Sequence, residues 1–197
     1  MARMTSIEIA KYMANHYHIP MQRTTLRAFA DVLVVRKYKK GVILLPEGEV
    51  CSAILFVEKG LLRQFYFKNN KDLTEHLAYE GGIVICLESY LKEEPTRLSI
   101  EALESCIVWE IPKSVIEQVS LENPEIGLLY RRIFEESLIV SQVKADGLRF
   151  ETAAVRYQKL ASQHPEIIRR SPALYIASLL QMSPETLSRV RASSTQD

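Results

Sequence analysis

The residues best suited to recognition chemistry lie between Ser171 and Arg191. Glu185 and Arg189 are four apart, so on a helix they share one face. Such a pair supports two readings. It is either a surface ion pair worth under about 1 kcal/mol, or a base-reading pair. In the second case Arg189 donates two bonds to guanine, and Glu185 accepts from cytosine or orients the arginine. Ser183, Thr186, Ser188 and Arg191 are the neighbouring types that reach phosphates and base edges when a helix lies in a major groove.

The surrounding sequence supplies the frame for that face. Two Ser-Pro pairs, Ser171-Pro172 and Ser183-Pro184, each predict a helix start. A serine hydroxyl can accept from an early helical amide, and proline suits a first position that needs no donor. Only Gln181 and Met182 remain for the connection, which is helix–turn–helix spacing. Ile176, Leu179 and Leu180 form the apolar face of the first helix, and Leu187 and Val190 that of the second. Ala177 is small where the two would cross.

Upstream, the pattern changes twice. Thr5 to Tyr17 has helical spacing with Thr5 or Ser6 as cap, and Arg23 to Val32 reads as a second helix. From Leu33 to Ile111, short apolar or alternating runs recur between turn signals such as Lys40-Gly41, Pro46-Glu47-Gly48, Lys59-Gly60 and Gly81-Gly82. Many short strands at regular spacing predict an antiparallel barrel or sandwich and disfavour a nucleotide-binding α/β fold. Lys113 to Leu121 reads as a short helix. A longer one starts at Asn123-Pro124 and runs to about Asp146, with a break or kink allowed at Gly147. Its residues Ile126, Leu129, Tyr130, Ile133, Val140 and Val143 recur at near-heptad spacing. That suits a parallel dimer seam, or equally a helix packed on its own barrel. Thr152 to Ser193 reads as several short helices, the first two separated by residues 163–166. The expected organisation is a sensor unit over 1–122, a dimerisation helix over 123–148 and a DNA-binding unit over 149–197.

Bulk properties exclude several classes. In 197 residues the formal net charge is +1. The chain from Arg149 onward has seven basic and four acidic residues, or +3, which leaves −2 for the rest. This is a mild bias toward a polyanion partner at one end. Three cysteines, Cys51, Cys86 and Cys106, form no CxxC pair and suit a reducing cytosol, with Cys86 and Cys106 read as buried core thiols. The histidines, His16, His18, His76 and His164, are too scattered for a metal cluster. No P-loop, GxSxG or HExxH motif is present, so no catalytic site, metal or cofactor is expected. The start of the chain has no basic stretch followed by an apolar run, and no segment has the roughly 18 apolar residues of a membrane span. A cytoplasmic location without membrane association is the expectation.

Two stretches resemble the CRP/FNR family of regulators. The glycine-punctuated strands with Lys40-Gly41, Pro46-Glu47-Gly48-Glu49, Ile54 to Gly60 and Leu62-Arg63 are similar to that family's sensor domain. Ser183 to Val190 is similar to its recognition helix. The resemblance implies an α+β fold: a jelly-roll, cyclic-nucleotide-binding-like antiparallel β-barrel, a long dimerisation helix and a C-terminal helix-turn-helix domain. It implies a homodimer on double-stranded DNA with a near-palindromic operator, and leaves RNA polymerase open as a further partner. Nucleotide-binding members carry a Gly-Glu pair for the ribose and an Arg-Ser or Arg-Thr pair for the cyclic phosphate. Here those stretches read Ile85 to Ser89 and Glu94 to Leu98. The Gly-Glu is absent, Thr96 occupies the arginine position and Arg97 is displaced by one, which on a strand points it to the opposite face. No tight cyclic-AMP binding is expected. Glu88, Thr96 and Arg97 remain the candidates for contacting some other small-molecule effector. The segment from His164 to Ser171 leaves little room for the family's β-hairpin wing. A sensor or protein-interaction module that no longer binds DNA is the alternative reading.

Overall fold

The computed structural model describes residues 4–194. Helices α1 (Ser6–His16) and α2 (Arg23–Val32) come first. The Thr5 hydroxyl accepts from the Glu8 amide while the Glu8 carboxylate accepts from the Thr5 amide, a reciprocal cap on α1.

The strand region folds into eight strands: β1 (Val34–Tyr38), β2 (Ile43–Leu45), β3 (Ala53–Lys59), β4 (Leu62–Lys68), β5 (Lys71–Ala78), β6 (Ile83–Val84), β7 (Ser99–Ala102) and β8 (Cys106–Pro112). All pair antiparallel, in two four-stranded sheets ordered β1-β8-β3-β6 and β2-β7-β4-β5. The expected barrel is therefore not closed. β6 has two residues and is too short to carry a ladder onward. At the other sheet's edge, the Thr74 amide of β5 donates to a side-chain hydroxyl, Ser178 Oγ, at 2.8 Å.

A short helix that the residue pattern did not predict, α3 (Leu87–Lys92), interrupts the strands. After β8 come α4 (Lys113–Glu122) and α5 (Pro124–Phe150). α5 continues through Gly147, where a break had been allowed. The chain finishes with α6 (Ala153–Gln163), α7 (Pro165–Arg170), α8 (Ala173–Leu179) and α9 (Pro184–Ser194). The predicted 163–166 loop shrinks to one residue, because His164 both ends α6 and precedes α7.

Buried side chains form two clusters. The larger joins α1, α2, the sheets and the first half of α5. The smaller gathers Tyr157, Ile176, Ala177, Leu180 and Leu187 under α6, α8 and α9. Gly60, in the β3–β4 turn, has φ +102°, and a Cβ there would meet Cys106 Sγ at 2.5 Å and Cys106 Cα at 2.9 Å. Gly60→Ala is expected to cost about 2–4 kcal/mol, from left-handed backbone plus overpacking. Gly41→Ala, at φ +83° in open space, should cost about 1 kcal/mol. Denaturant titration of both variants checks the contrast, and equal losses would refute it.

Candidate nucleic-acid interface and its supports

α9 begins as its sequence predicts. Ser183 Oγ accepts from the Thr186 amide at 3.2 Å, which caps the helix. The preceding turn closes with the Met182 amide on Ala177 O at 3.0 Å, and Gln181 takes a left-handed conformation, φ 49°. This i to i−5 bond satisfies a carbonyl at the end of α8. Ser171 behaves differently from its expected role. α8 starts after Pro172 with no side-chain cap, and Ser171 Oγ is buried with no hydrogen-bond partner.

Leu187 anchors α9 from behind at 1% exposure, with Val190 packed against the same cluster. Glu185, Ser188 and Arg189 are exposed, while Thr186 and Arg191 are half-buried. Arg189 Nη2 reaches Thr186 Oγ1 at 3.5 Å. The Glu185 carboxyl is held below its ordinary range by the Ser183 hydroxyl first, with Arg189 contributing charge. Arg191 does not join the outward face as expected; its guanidinium lies 5.9 Å from the centre of the Tyr157 ring. The outward set is thus Ser183, Glu185, Ser188 and Arg189, with Thr186 at its margin.

What aims this face is the docking of α7 and α8 on the sheet. The Arg63 side chain of β4, 1% exposed, pairs with Asp72 and with Glu101 at 2.8 Å. Its Nε donates to Thr74 Oγ1 at 2.8 Å. The guanidinium lies 4.5 Å from the Phe65 ring centre and 3.7 Å from that of Tyr175 on α8, a cation–π arrangement. Arg170 of α7 spans two carboxylates, Glu104 at 2.6 and 3.0 Å and Glu80 at 2.6 and 3.1 Å. Glu80 also accepts the Gly60 amide at 2.8 Å. Burial pushes the Glu80 carboxyl up, but Arg170 and this amide outweigh it and the net direction is down. A bulge in β5 skips Glu75 between the partners of Gln64 and Phe65, and Lys144 of α5 bonds the freed Glu75 carbonyl and its carboxylate. His76, beside this bulge, is held neutral by burial first and by Lys144 second, its pKa down to about 4. Neither the Arg63 cluster nor the Arg170 fork was anticipated from the sequence.

The predicted effector residues separate. Glu88 on α3 is exposed and bridges Lys92 at 2.8 Å and Arg97 at 3.8 Å. Thr96 is buried and its Oγ1 accepts from the Leu98 amide at 2.9 Å. The Arg97 side chain is 88% exposed; it lies in a bend before β7 and not on a strand, so the alternation expected of a strand does not apply to it. Thr96 therefore stands apart from the other two.

The predicted dimer seam also divides. Ile126, Leu129 and Ile133 are buried in the chain's own core, so they are not available to a second copy. Tyr130 bonds Tyr90 at 3.0 Å and Glu117 at 3.2 Å. Only Val140 and Val143 of the six are exposed, joined by Leu138, Ile139 and Phe150. Near-heptad spacing is common to both outcomes, because a helix presents the same stripe to its own core or to a partner.

Residues 35–123 match the model of the cyclic nucleotide-binding domain family. The described residues share their fold with solved structures of CRP/FNR-type regulators. It is similar to FixK2 from Bradyrhizobium japonicum, at 20% identity over 83% of this chain and 85% of that one, with a TM-score of 0.66. It is similar to CLP, a c-di-GMP responsive global regulator from Xanthomonas campestris, at 17% identity over 89% and 93%, TM-score 0.67. A CRP/FNR-family protein from Eubacterium rectale, described as a candidate transcriptional regulator, matches at 16% identity over 89% and 85%, TM-score 0.65. No curated protein matches the sequence. Among the described residues, no helix is long and apolar enough to cross a membrane.

Arg170→Gln leaves Glu80 and Glu104 facing each other without their cation. It is expected to weaken the docking of α7 and α8 by about 1–3 kcal/mol. Hydrogen exchange at the Thr74 amide, bonded to Ser178, reports it. An unchanged rate would show that the fork carries no docking energy.

Proposed function

We propose that this protein is a cytoplasmic, sequence-specific DNA-binding regulator that acts as a homodimer. The carrying observation is the outward face of α9: Glu185, Ser188 and Arg189 exposed, Leu187 sealed behind them. In this reading α8, the Gln181 turn and α9 are a helix-turn-helix. Arg189 donates to a guanine edge, Glu185 accepts from a cytosine or orients the arginine, and Ser183, Thr186 and Ser188 bond phosphates or bases. Arg191 serves α9 from within by packing over Tyr157. The three free thiols suit a reducing compartment.

The dimer forms through the second half of α5. Ile139, Val140, Val143 and Phe150 give one side of the helix an apolar surface exposed in the monomer, the kind of patch that marks an interface. A two-fold axis lets the same surface serve both copies. Two α9 helices then meet successive major grooves about 34 Å apart. The regulator does not respond to cyclic AMP, because the buried position that would hold the phosphate is Thr96 and the neighbouring cation, Arg97, faces solvent.

Selection of bound duplexes from a random pool should yield a near-palindromic site whose affinity falls steeply with salt. Arg189→Ala should lose about 1–3 kcal/mol of discrimination at one base position per half-site. Failure to enrich any duplex at low salt would leave a protein-interaction module as the better account. Separately, Ile139→Asp with Val143→Asp should convert the dimer to a monomer in analytical ultracentrifugation. A dimer that survives the pair would place the interface elsewhere.

A further inference from the structure

A cleft of about 470 Å3 lies where α1, the chain leading into α2, and the start of α5 come together. That volume is within the range typical of small-molecule sites. Nothing in the outward face of α9 or its supports uses it, and it shares no residue with Glu88, Thr96 and Arg97.

Local rules build its floor. α1 gives way to His18 in the left-handed region, φ 55°, and the Ile19 amide reaches back to Ala14 O at 2.8 Å. A bond of that span fixes the direction in which a chain leaves a helix. Ile19 is thereby turned inward, at 4% exposure, and Ala14 is buried too. Met21 and Leu26 are half-buried and pack against the larger core. These four side chains make the floor apolar.

The polar side chains around it are Lys11 and Asn15 of α1, Gln22 before α2, and Glu125 in the first turn of α5. The first three are exposed and Glu125 is half-buried. Among the described residues none of the four side chains has a hydrogen bond or an ion pair; Lys11 acts on Glu8 only through space. One cation and one anion therefore line a single cleft without neutralising each other. Asn15 lies four residues after Lys11, so the two share a helix face. The amide groups of Asn15 and Gln22 can each donate or accept.

This set of groups selects a ligand class. A nucleotide or sugar phosphate would bring two negative charges or more to one lysine, and no aromatic ring lines the cleft to stack on a base. A fatty acid would leave Glu125 unmatched, and a simple amine would leave Lys11 unmatched. We propose that the cleft binds a free α-amino acid with an apolar side chain. Lys11 and the Asn15 amide take the carboxylate, Glu125 and the Gln22 carbonyl take the ammonium, and the side chain lies on Ala14, Ile19, Met21 and Leu26. Such a ligand joins α1 and α2 to the first turn of α5, next to Ile126 in the core, and stabilises that junction by mass action. Binding here requires nothing of α9.

The full chain, with its isoleucine, leucine and methionine methyl groups observed by NMR, is titrated in turn with L-leucine, L-isoleucine, L-valine and L-methionine. At least one should shift the Ile19, Met21 and Leu26 methyl signals with a Kd of about 1 mM or tighter. The analogues of that amino acid lacking the ammonium or the carboxylate should each bind about three- to tenfold more weakly. Lys11→Met should weaken the amino acid by a similar factor and leave the decarboxylated analogue unchanged. Glu125→Gln should weaken it likewise and leave the deaminated analogue unchanged. Both substitutions fall on side chains that bond nothing, so the fold is retained. Methyl signals that none of the four amino acids moves would overturn the proposal. So would an analogue that binds as tightly as its amino acid, or affinities that neither substitution alters.

Discussion

A guanidinium taken out of water costs several kcal/mol unless its donors are matched. Arg63 is 1% exposed, and the rest of the architecture follows from how its donors are matched. Glu101 and Asp72 supply charge, Thr74 an acceptor, and the rings of Phe65 and Tyr175 the two faces. Four of these partners belong to the sheet. The fifth, Tyr175, belongs to α8, and it is what excludes water. Lift α8 and the guanidinium rehydrates, the carboxylate bonds weaken and the ring contact is lost together. Arg63 therefore decides where α8 sits. Since α8 and α9 share one small core, it also decides where the outward face of α9 points.

This interface is polar compared with the cores on either side. Beyond Arg63 it uses Arg170 between Glu80 and Glu104, Lys144 on the β5 bulge, and Ser178 on the Thr74 amide. Apolar contacts tolerate sliding, whereas charged hydrogen bonds weaken steeply with misalignment. An interface built this way is therefore directional without being deep. It resembles transient contacts between domains more than a shared core. The β5 edge shows the same economy. Its bulge would strand a carbonyl at Glu75 and its outward amide at Thr74 invites another strand, yet each is satisfied from a helix, which also protects the edge from pairing with a foreign strand.

Much of the local structure was legible. The Ser183-Pro184 start, the Leu187 anchor and the Thr5 cap use signals that act over three or four residues, and the structure has them. Features that failed to read are those where distant residues decide. Ser171 matched the Ser183 pattern in sequence, but its hydroxyl is buried and α8 begins without it. α3 has cysteine where a cap would be, so nothing local announces it; Tyr90 packing on Tyr130 and Phe134 holds it. Nothing beside Arg63 on its strand announces its burial, because partners that bury it, Glu101 and Tyr175, lie far along the chain. Heptad spacing in α5 could not say which half faced inward, since Ile126 and Val143 satisfy the same stripe.

That division gives α5 its mechanical character. Its first half is locked by Ile126, Leu129 and Ile133 in the larger core, while its second half carries an uncovered apolar face. At 27 residues the helix is about 40 Å long, and an unbroken helix of that length moves as a unit. Its far end hands directly to α6. There the Glu151 carbonyl takes Arg156 at 2.6 Å and the Glu151 carboxylate takes Lys159. The final helices are thus held at two points, the end of α5 and the Arg63–Arg170 surface of the sheet. A body held at two points cannot rotate about either without straining the other. The placement of α9 is therefore a joint property of the sheet and the long helix.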